Sequence, residues 1–195
     1  MVDVKKIKKD LKRNLSHDRY CHSIRVAEES LALAKVYGCD LENAYLAGLV
    51  HDIAKEFNEE ENLYWIKKYN LSEKLLDSKF KKIRHALIGS IVVKELYGLS
   101  EDIAQAVSYH TVGNLKMNLL DKIVFVADKI ESGKKYPGIE EERILAYLDI
   151  NKALIMCLSN QRRKLKREGK VFHFDSLKLL DFLICQTNKE ESSRD

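Results

Sequence analysis

Apolar residues recur along this chain at intervals of three and four, the spacing that lines one face of an α-helix, and almost nowhere in strict alternation. Ile24, Ala27, Leu31 and Ala34 form one stripe, and Ile88, Val92 and Leu96 another. Short polar breaks separate such stripes and predict helices over 3–14, 17–37, 41–55, 59–68, 73–79, 83–97, 101–110, 117–131, 140–168 with a break near 149, and 175–187. Asp40, Ser72 and Ser100 have the character of N-caps, and Asn58 with Glu61 three residues on has that of a capping box. No segment reads as a strand and none repeats. The stretch SGKKYPG, residues 132–138, is the clearest loop, and the polar residues 188–195 read as a disordered tail. The expected fold is therefore all-α, a single-domain helical bundle over residues 1–187.

Composition agrees with that class and narrows the partners. A chain of 195 residues with 45% hydrophobic and 33% charged residues and one proline is long enough to bury a core with a site inside it. Net charge is only +4, and the basic clusters KKIKK, KFKKIR and RRKLKR lack the interleaved aromatics of a nucleic-acid surface, so they read as solvated helix faces. Cysteines 21, 39, 157 and 185 show no C-x-x-C spacing, which gives no support to a disulfide framework or a zinc knuckle and fits a reducing cytoplasm. There is no apolar signal core and no run long enough to span a bilayer. A soluble cytoplasmic protein is expected, without membrane or nucleic-acid partners, and the patterning of the first and last helices leaves room for a homodimer.

Candidate chemistry comes from polar residues on the apolar faces, where each demands an explanation. His22 shares a face with Val26 and Leu33; His51 follows the small residues Ala47 and Gly48, with Asp52 beside it and Lys55 one turn on. His85 begins the face continued by Ile88, His110 follows Ile103, Ala106 and Val107, and Asp128 lies within the very apolar LLDKIVFVADKI. A single histidine so placed is ordinarily a satisfied core residue; a whole set with buried carboxylates is satisfied together by a cation. Mixed nitrogen and carboxylate donors suit iron, manganese, cobalt or zinc better than magnesium or calcium. Ligation by His22, His51, Asp52 and Asp128 leaves positions open for water and substrate, and such water becomes a nucleophile near neutral pH. His85 and His110 either hold a second metal, with Asp52 bridging, or contact phosphoryl oxygens; spacing does not choose. Lys55 and Arg84 supply the positive charge that phosphoryl transfer uses, which points to phosphoester or phosphoanhydride hydrolysis. His17 and Asp18 repeat the His-Asp dipeptide at a helix start and read as capping and surface.

These residues resemble the HD-domain metal-dependent phosphohydrolases, whose signature is a histidine, then His-Asp, then a distant aspartate: here His22 in HSIRV, His51 and Asp52 in GLVHDIAK, and Asp128 in FVADKIE. RYCHSIRVAE, RHALIGS, YHTVGN and PGIEEER extend the likeness, to about residue 185, toward the YqeK type, the bacterial symmetrical diadenosine tetraphosphate hydrolases. Ser132 and Asn114 depart from that pattern, outside the ligand set. The resemblance implies an all-helical HD-type bundle, a metal centre of the iron type, and cleavage of diadenosine tetraphosphate into two ADP by a metal-bound hydroxide. It implies catalytic roles for Asp52, Lys55, His85 and His110, and a substrate-contacting set of Arg19, Lys55, Arg84, His85, His110, Thr111, Lys134 and His173. Competing expectations are an HD phosphohydrolase acting on a nucleoside monophosphate, a deoxynucleoside triphosphate or a cyclic dinucleotide, a metal-dependent nucleotide-binding regulator without turnover, and a helical module whose histidines are core.

Overall fold

The computed structural model describes residues 2–192. Its α-helices are α1 Val4–Asn14, α2 His17–Tyr37, α3 Leu41–Val50, α4 Glu59–Lys68, α5 Lys81–Tyr97, α6 Glu101–Tyr109, α7 Leu119–Ile130, α8 Ile139–Leu148, α9 Ile150–Arg167 and α10 Phe174–Ser192, with no strand among the described residues. The all-α expectation is met. Local chemistry sets most boundaries: the side chains of Asp40 and Ser100 accept the backbone N–H three residues on, and Asn58 with Glu61 forms the reciprocal capping box. Asn118 with Asp121 forms a second box at the start of α7, and Ser16, not His17 or Asp18, caps α2.

α7 is the axis of the bundle and packs against α2, α3, α6, α8 and α9. Its Leu120, Ile123, Val124, Phe125, Val126, Ala127 and Ile130 are buried, so the helix is enclosed nearly all round, as its apolar sequence requires. α2 lies against α3 and comes close at Gly48, where a Cβ would come within 2.8 Å of the Val26 carbonyl and 2.9 Å of Ala27 Cα. Only glycine admits that crossing, and it brings the two histidine-bearing helices together.

Four sequence expectations change. The helix begun at Leu41 stops at Val50 instead of 55, because residues 51–56 tighten into a turn held by i→i+3 bonds such as Ile53 N–H to Val50 O, 3.0 Å, and Lys55 N–H to Asp52 O, 2.9 Å. The segment 73–79 is two short 3-10 turns, Glu73–Leu76 and Ser78–Phe80, and Ser72 makes no side-chain cap before them. Leu96, placed on the buried stripe of α5, is half exposed at the helix end while Ile88 and Val92 are buried. α10 continues past Thr187 to Ser192, so residues 188–192 of the expected tail are helical; residues 193–195 lie outside those described. The break at Asp149 is where expected, its side chain capping α9 through the N–H groups of Asn151 and Lys152.

Candidate metal centre

Five helices contribute to one polar cluster inside the bundle. His22 projects from α2, His51 and His110 stand at the C-caps of α3 and α6, His85 lies in α5, Asp128 in α7, and Asp52 opens the turn after α3. The same device aims both C-cap histidines. His51 Nδ1–H donates to the carbonyl of Gly48 at 2.7 Å, and His110 Nδ1–H to that of Val107 at 2.6 Å, each three residues back. A carbonyl only accepts, so the proton is on Nδ1 and Nε2 is left as a bare lone pair. His85 Nδ1–H likewise donates to Lys81 O at 3.1 Å, and His22 Nδ1 meets Glu131 Oε1 at 3.1 Å. All four rings thus turn Nε2 inward with the tautomer fixed from behind, the arrangement of metal-ligating histidines.

The inward atoms converge on two carboxylates. His22 Nε2 is 3.0 Å from Asp128 Oδ1, and His51 Nε2 is 3.4 Å from Asp52 Oδ2 and 3.7 Å from Asp128 Oδ1. Across Asp52, the other oxygen is 3.1 Å from His85 Nε2 and 3.3 Å from His110 Nε2, and those two nitrogens are 3.2 Å apart. His51 is fully buried, and His110, Asp52, His85 and His22 nearly so. Neutral rings protonated at Nδ1 have nothing to offer these contacts but lone pairs, and His22 Nε2, His51 Nε2 and Asp52 Oδ1 have no hydrogen-bond partner among the described residues. Orphaned buried acceptors are costly, and one removes the cost of several by placing a cation among them. Two overlapping groups have ligand atoms mutually close enough to share an ion: His22, His51 and Asp52, and Asp52, His85 and His110. The donor set, imidazole with carboxylate, fits a divalent transition metal.

Charge preferences point the same way. Burial pulls the His51 pKa down, but Asp52 and Asp128 on either side outweigh it and the net shift is upward. Burial raises the Asp52 carboxyl, and the surrounding His51, His110 and His85 overcome this and hold it well below the usual carboxylate range; Asp128 is likewise held low, by Lys129 and His22 against its burial. Positive charge is thus favoured between the two carboxylates. On the far side of Asp52, burial drives His110 down to about 4 and lowers His85, so both rings remain neutral donors at physiological pH.

Among the other sequence-predicted residues, Lys55 reaches the cluster: Nζ is 3.1 Å from His85 Nε2 and 3.4 Å from Asp52 Oδ1. Arg19 donates to Asp52 Oδ2 at 2.9 Å from the partly exposed rim. Thr111 is buried beside His110. Arg84 is not brought in; it donates to the carbonyls of Leu75 and Leu76, both at 3.1 Å, and fastens the 3-10 segment to α5. His173 accepts from the N–H of Asp175 at the start of α10, whose Ser176 Oγ donates to Val112 O just after His110. Lys134 lies in the 132–138 loop, its carbonyl held by Arg143. Sequence reasoning missed Glu131 and Lys129. Glu131, 2% exposed, binds His22 from behind and is itself held by Arg25 Nε at 2.5 Å and Gly133 N–H at 2.6 Å; its signal was a second acid one turn after Asp128. Lys129 Nζ donates to Asp128 Oδ2 at 2.5 Å.

Comparison with known proteins meets this geometry. The chain is 35% identical over 90% of its length to the symmetrical bis(5'-nucleosyl)-tetraphosphatase of Halalkalibacterium halodurans, covering 94% of that protein. It is 34% identical over 89% of its length to the protein of the same name from Bacillus subtilis, again covering 94% of it. The crystal structure of a predicted HD superfamily hydrolase involved in NAD metabolism, from Clostridium acetobutylicum, superposes with a TM-score of 0.87 at 34% identity, covering 95% of this chain and 99% of that one. The HD domain family model matches residues 19–133, a span that begins at the arginine on Asp52 and takes in every histidine and carboxylate of the cluster. The chain belongs to the HD domain family.

Proposed function

We propose that the protein hydrolyses diadenosine tetraphosphate symmetrically, releasing two ADP, in the cytoplasm and with iron as its native metal; manganese, cobalt or zinc would satisfy the same donors. The observation that carries the reading is Asp52: its two oxygens face two separate histidine groups, in a chain similar over nearly its whole length to enzymes named for this activity. On this reading His22, His51, Asp52 and Asp128 would hold one ion, and Asp52, His85 and His110 would hold a second. Metal bound there supplies Lewis-acid activation of water and of a phosphoryl oxygen. The residues do the rest. The Nδ1 bonds of His51 and His110 keep both rings fixed, so no reorganisation is needed as charge develops. Lys55 stands beside Asp52 and His85, where an ammonium offsets charge on the phosphate bridge, and Arg19 offers a second cation at the rim. A homodimer through the amphipathic first or last helix is part of the same reading and is checked by sedimentation.

The test is a product analysis. Protein loaded with ferrous iron, cobalt or manganese is given diadenosine tetraphosphate, and the nucleotides are separated by chromatography. ADP alone is expected. AMP with ATP would refute symmetrical cleavage, and tight ADP binding without turnover would favour a regulator.

A further inference from the structure

A groove of about 1360 Å³ lies along α9, and its wall includes Lys129, the neighbour of Asp128. Lys129 and Lys134 line it together with Arg163, Lys164 and Arg167 of α9. Lys129 joins groove and centre, since its ammonium donates to Asp128 Oδ2 at 2.5 Å. Basic residues at a helix C-terminus commonly do no more than answer the helix dipole. Here they border a cavity larger than an ordinary small-ligand site. Its wall also includes Gln161, whose buried Oε1 has no hydrogen-bond partner among the described residues. A buried acceptor lacking a donor is unfavourable, and a ligand that brings an N–H relieves it.

We infer that this groove receives the distal nucleoside diphosphate half of the substrate, its phosphates among Lys129, Lys134, Lys164 and Arg167 and its adenine amino group on Gln161. The inference rests on the dinucleoside tetraphosphate reading above. Symmetrical cleavage requires one nucleotide on each side of the bond that breaks. The centre has two sides: Lys55 and His85 meet one oxygen of Asp52, and Asp128, with Lys129 behind it, lies beyond the other. A nucleotide held on the Lys55 side leaves the Asp128 side for its twin, and Lys129, bonded to Asp128, is in the wall of the groove. Glutamine suits adenine because one amide presents an acceptor to N6–H and a donor to N7. The cations along α9 follow the phosphates without reading sequence.

Calorimetric titration of ADP into metal-loaded protein tests this independently of turnover. Two ADP per chain are expected for the natural sequence. Lys164→Ala with Arg167→Ala, both exposed and safe for folding, should weaken one site at least tenfold and leave metal content unchanged. Gln161→Ala should weaken the same site about tenfold for ADP and less for GDP. In the hydrolase assay the paired variant should raise KM for diadenosine tetraphosphate far more than it lowers kcat. Unaltered ADP stoichiometry and affinity in both variants would overturn the inference, as would variants that lose binding to a short RNA while ADP binding stays intact. Loss of the second ADP site in a protein that shows no hydrolysis would uphold the groove and refute the hydrolase reading instead.

Discussion

Replacing Glu131 by glutamine removes a negative charge that touches no substrate, and the consequence for the metal can be worked from its contacts. The buried carboxylate accepts from three donors, the buried His22 Nδ1–H at 3.1 Å, the partly exposed Arg25 Nε–H at 2.5 Å and Gly133 N–H at 2.6 Å. A glutamine amide has one acceptor oxygen and turns its NH2 toward at least one of them. An unmet buried donor costs about 1–3 kcal/mol. For a chain of this length that lowers Tm by roughly 2–4 °C per kcal/mol. The second effect is on His22, whose ring loses its fixed orientation, and loss of such support weakens metal affinity about 10- to 100-fold. Cobalt affinity measured by competition with a chelating dye, alongside melting of the metal-free protein, separates the two. Arg25→Ala is the companion: it strips an outer support of Glu131 but spares the His22 contact, so its affinity should lie between the natural protein and Glu131→Gln. If Glu131→Gln lowers Tm but binds cobalt as the natural protein does, Glu131 serves only to anchor Arg25 and the 131–133 turn, and the argument from ring orientation is wrong.

Asp52→Ala should lose both ions by metal analysis, and chelation should no longer lower its Tm, because this residue alone belongs to both ligand groups; unchanged metal content would contradict the assignment. Gly48→Ala should be destabilised and bind metal more weakly, since its Cβ would meet the α2 backbone at 2.8–2.9 Å; overpacking of that kind costs about 1–3 kcal/mol against roughly 1 kcal/mol of helix propensity gained. Gly89→Ala is the control, its nearest neighbour being a Val107 side-chain methyl at 3.2 Å with no backbone atom as close, and a Tm for Gly48→Ala equal to that of Gly89→Ala would refute the close-crossing account. Asp121 is raised to about 6 by burial, so the folded state takes up a proton before the unfolded chain does. Its ionisation therefore destabilises the fold above pH 6, and this is relieved as pH falls from 6 toward 4; a two-unit shift corresponds to about 3 kcal/mol. Asp121→Asn keeps an acceptor for Asn118 and Gln105, so its Tm gain over the natural protein should be larger at pH 7.5 than at pH 5, and an equal gain at both would show that Asp121 does not titrate there.

The sequence by itself determined the helices and the donor inventory. Periodic apolar spacing and side-chain caps are local, so α2, α4 and α6 and the break at Asp149 were legible within a residue or two. His22, His51, Asp52, His85, His110 and Asp128 were legible because a polar group on an apolar face has few satisfactory explanations, and the structure brings all six together. Tertiary structure decided what periodicity cannot express. α3 ends at Val50 where residues 51–56 close by i→i+3 bonds and His51 takes the carbonyl of Gly48, neither of which apolar spacing expresses. Arg84 looked like a phosphate contact because its charge was readable, but its direction was not, and it is spent on Leu75 and Leu76. Glu131 drew no notice because an acid near a helix end ordinarily faces water; only the packing of α2 against α7 puts His22 and Arg25 upon it. That Asp52 lies between two histidine groups required four helices to arrive at one point, and distances between distant segments are set by how helices pack, not by what each of them contains.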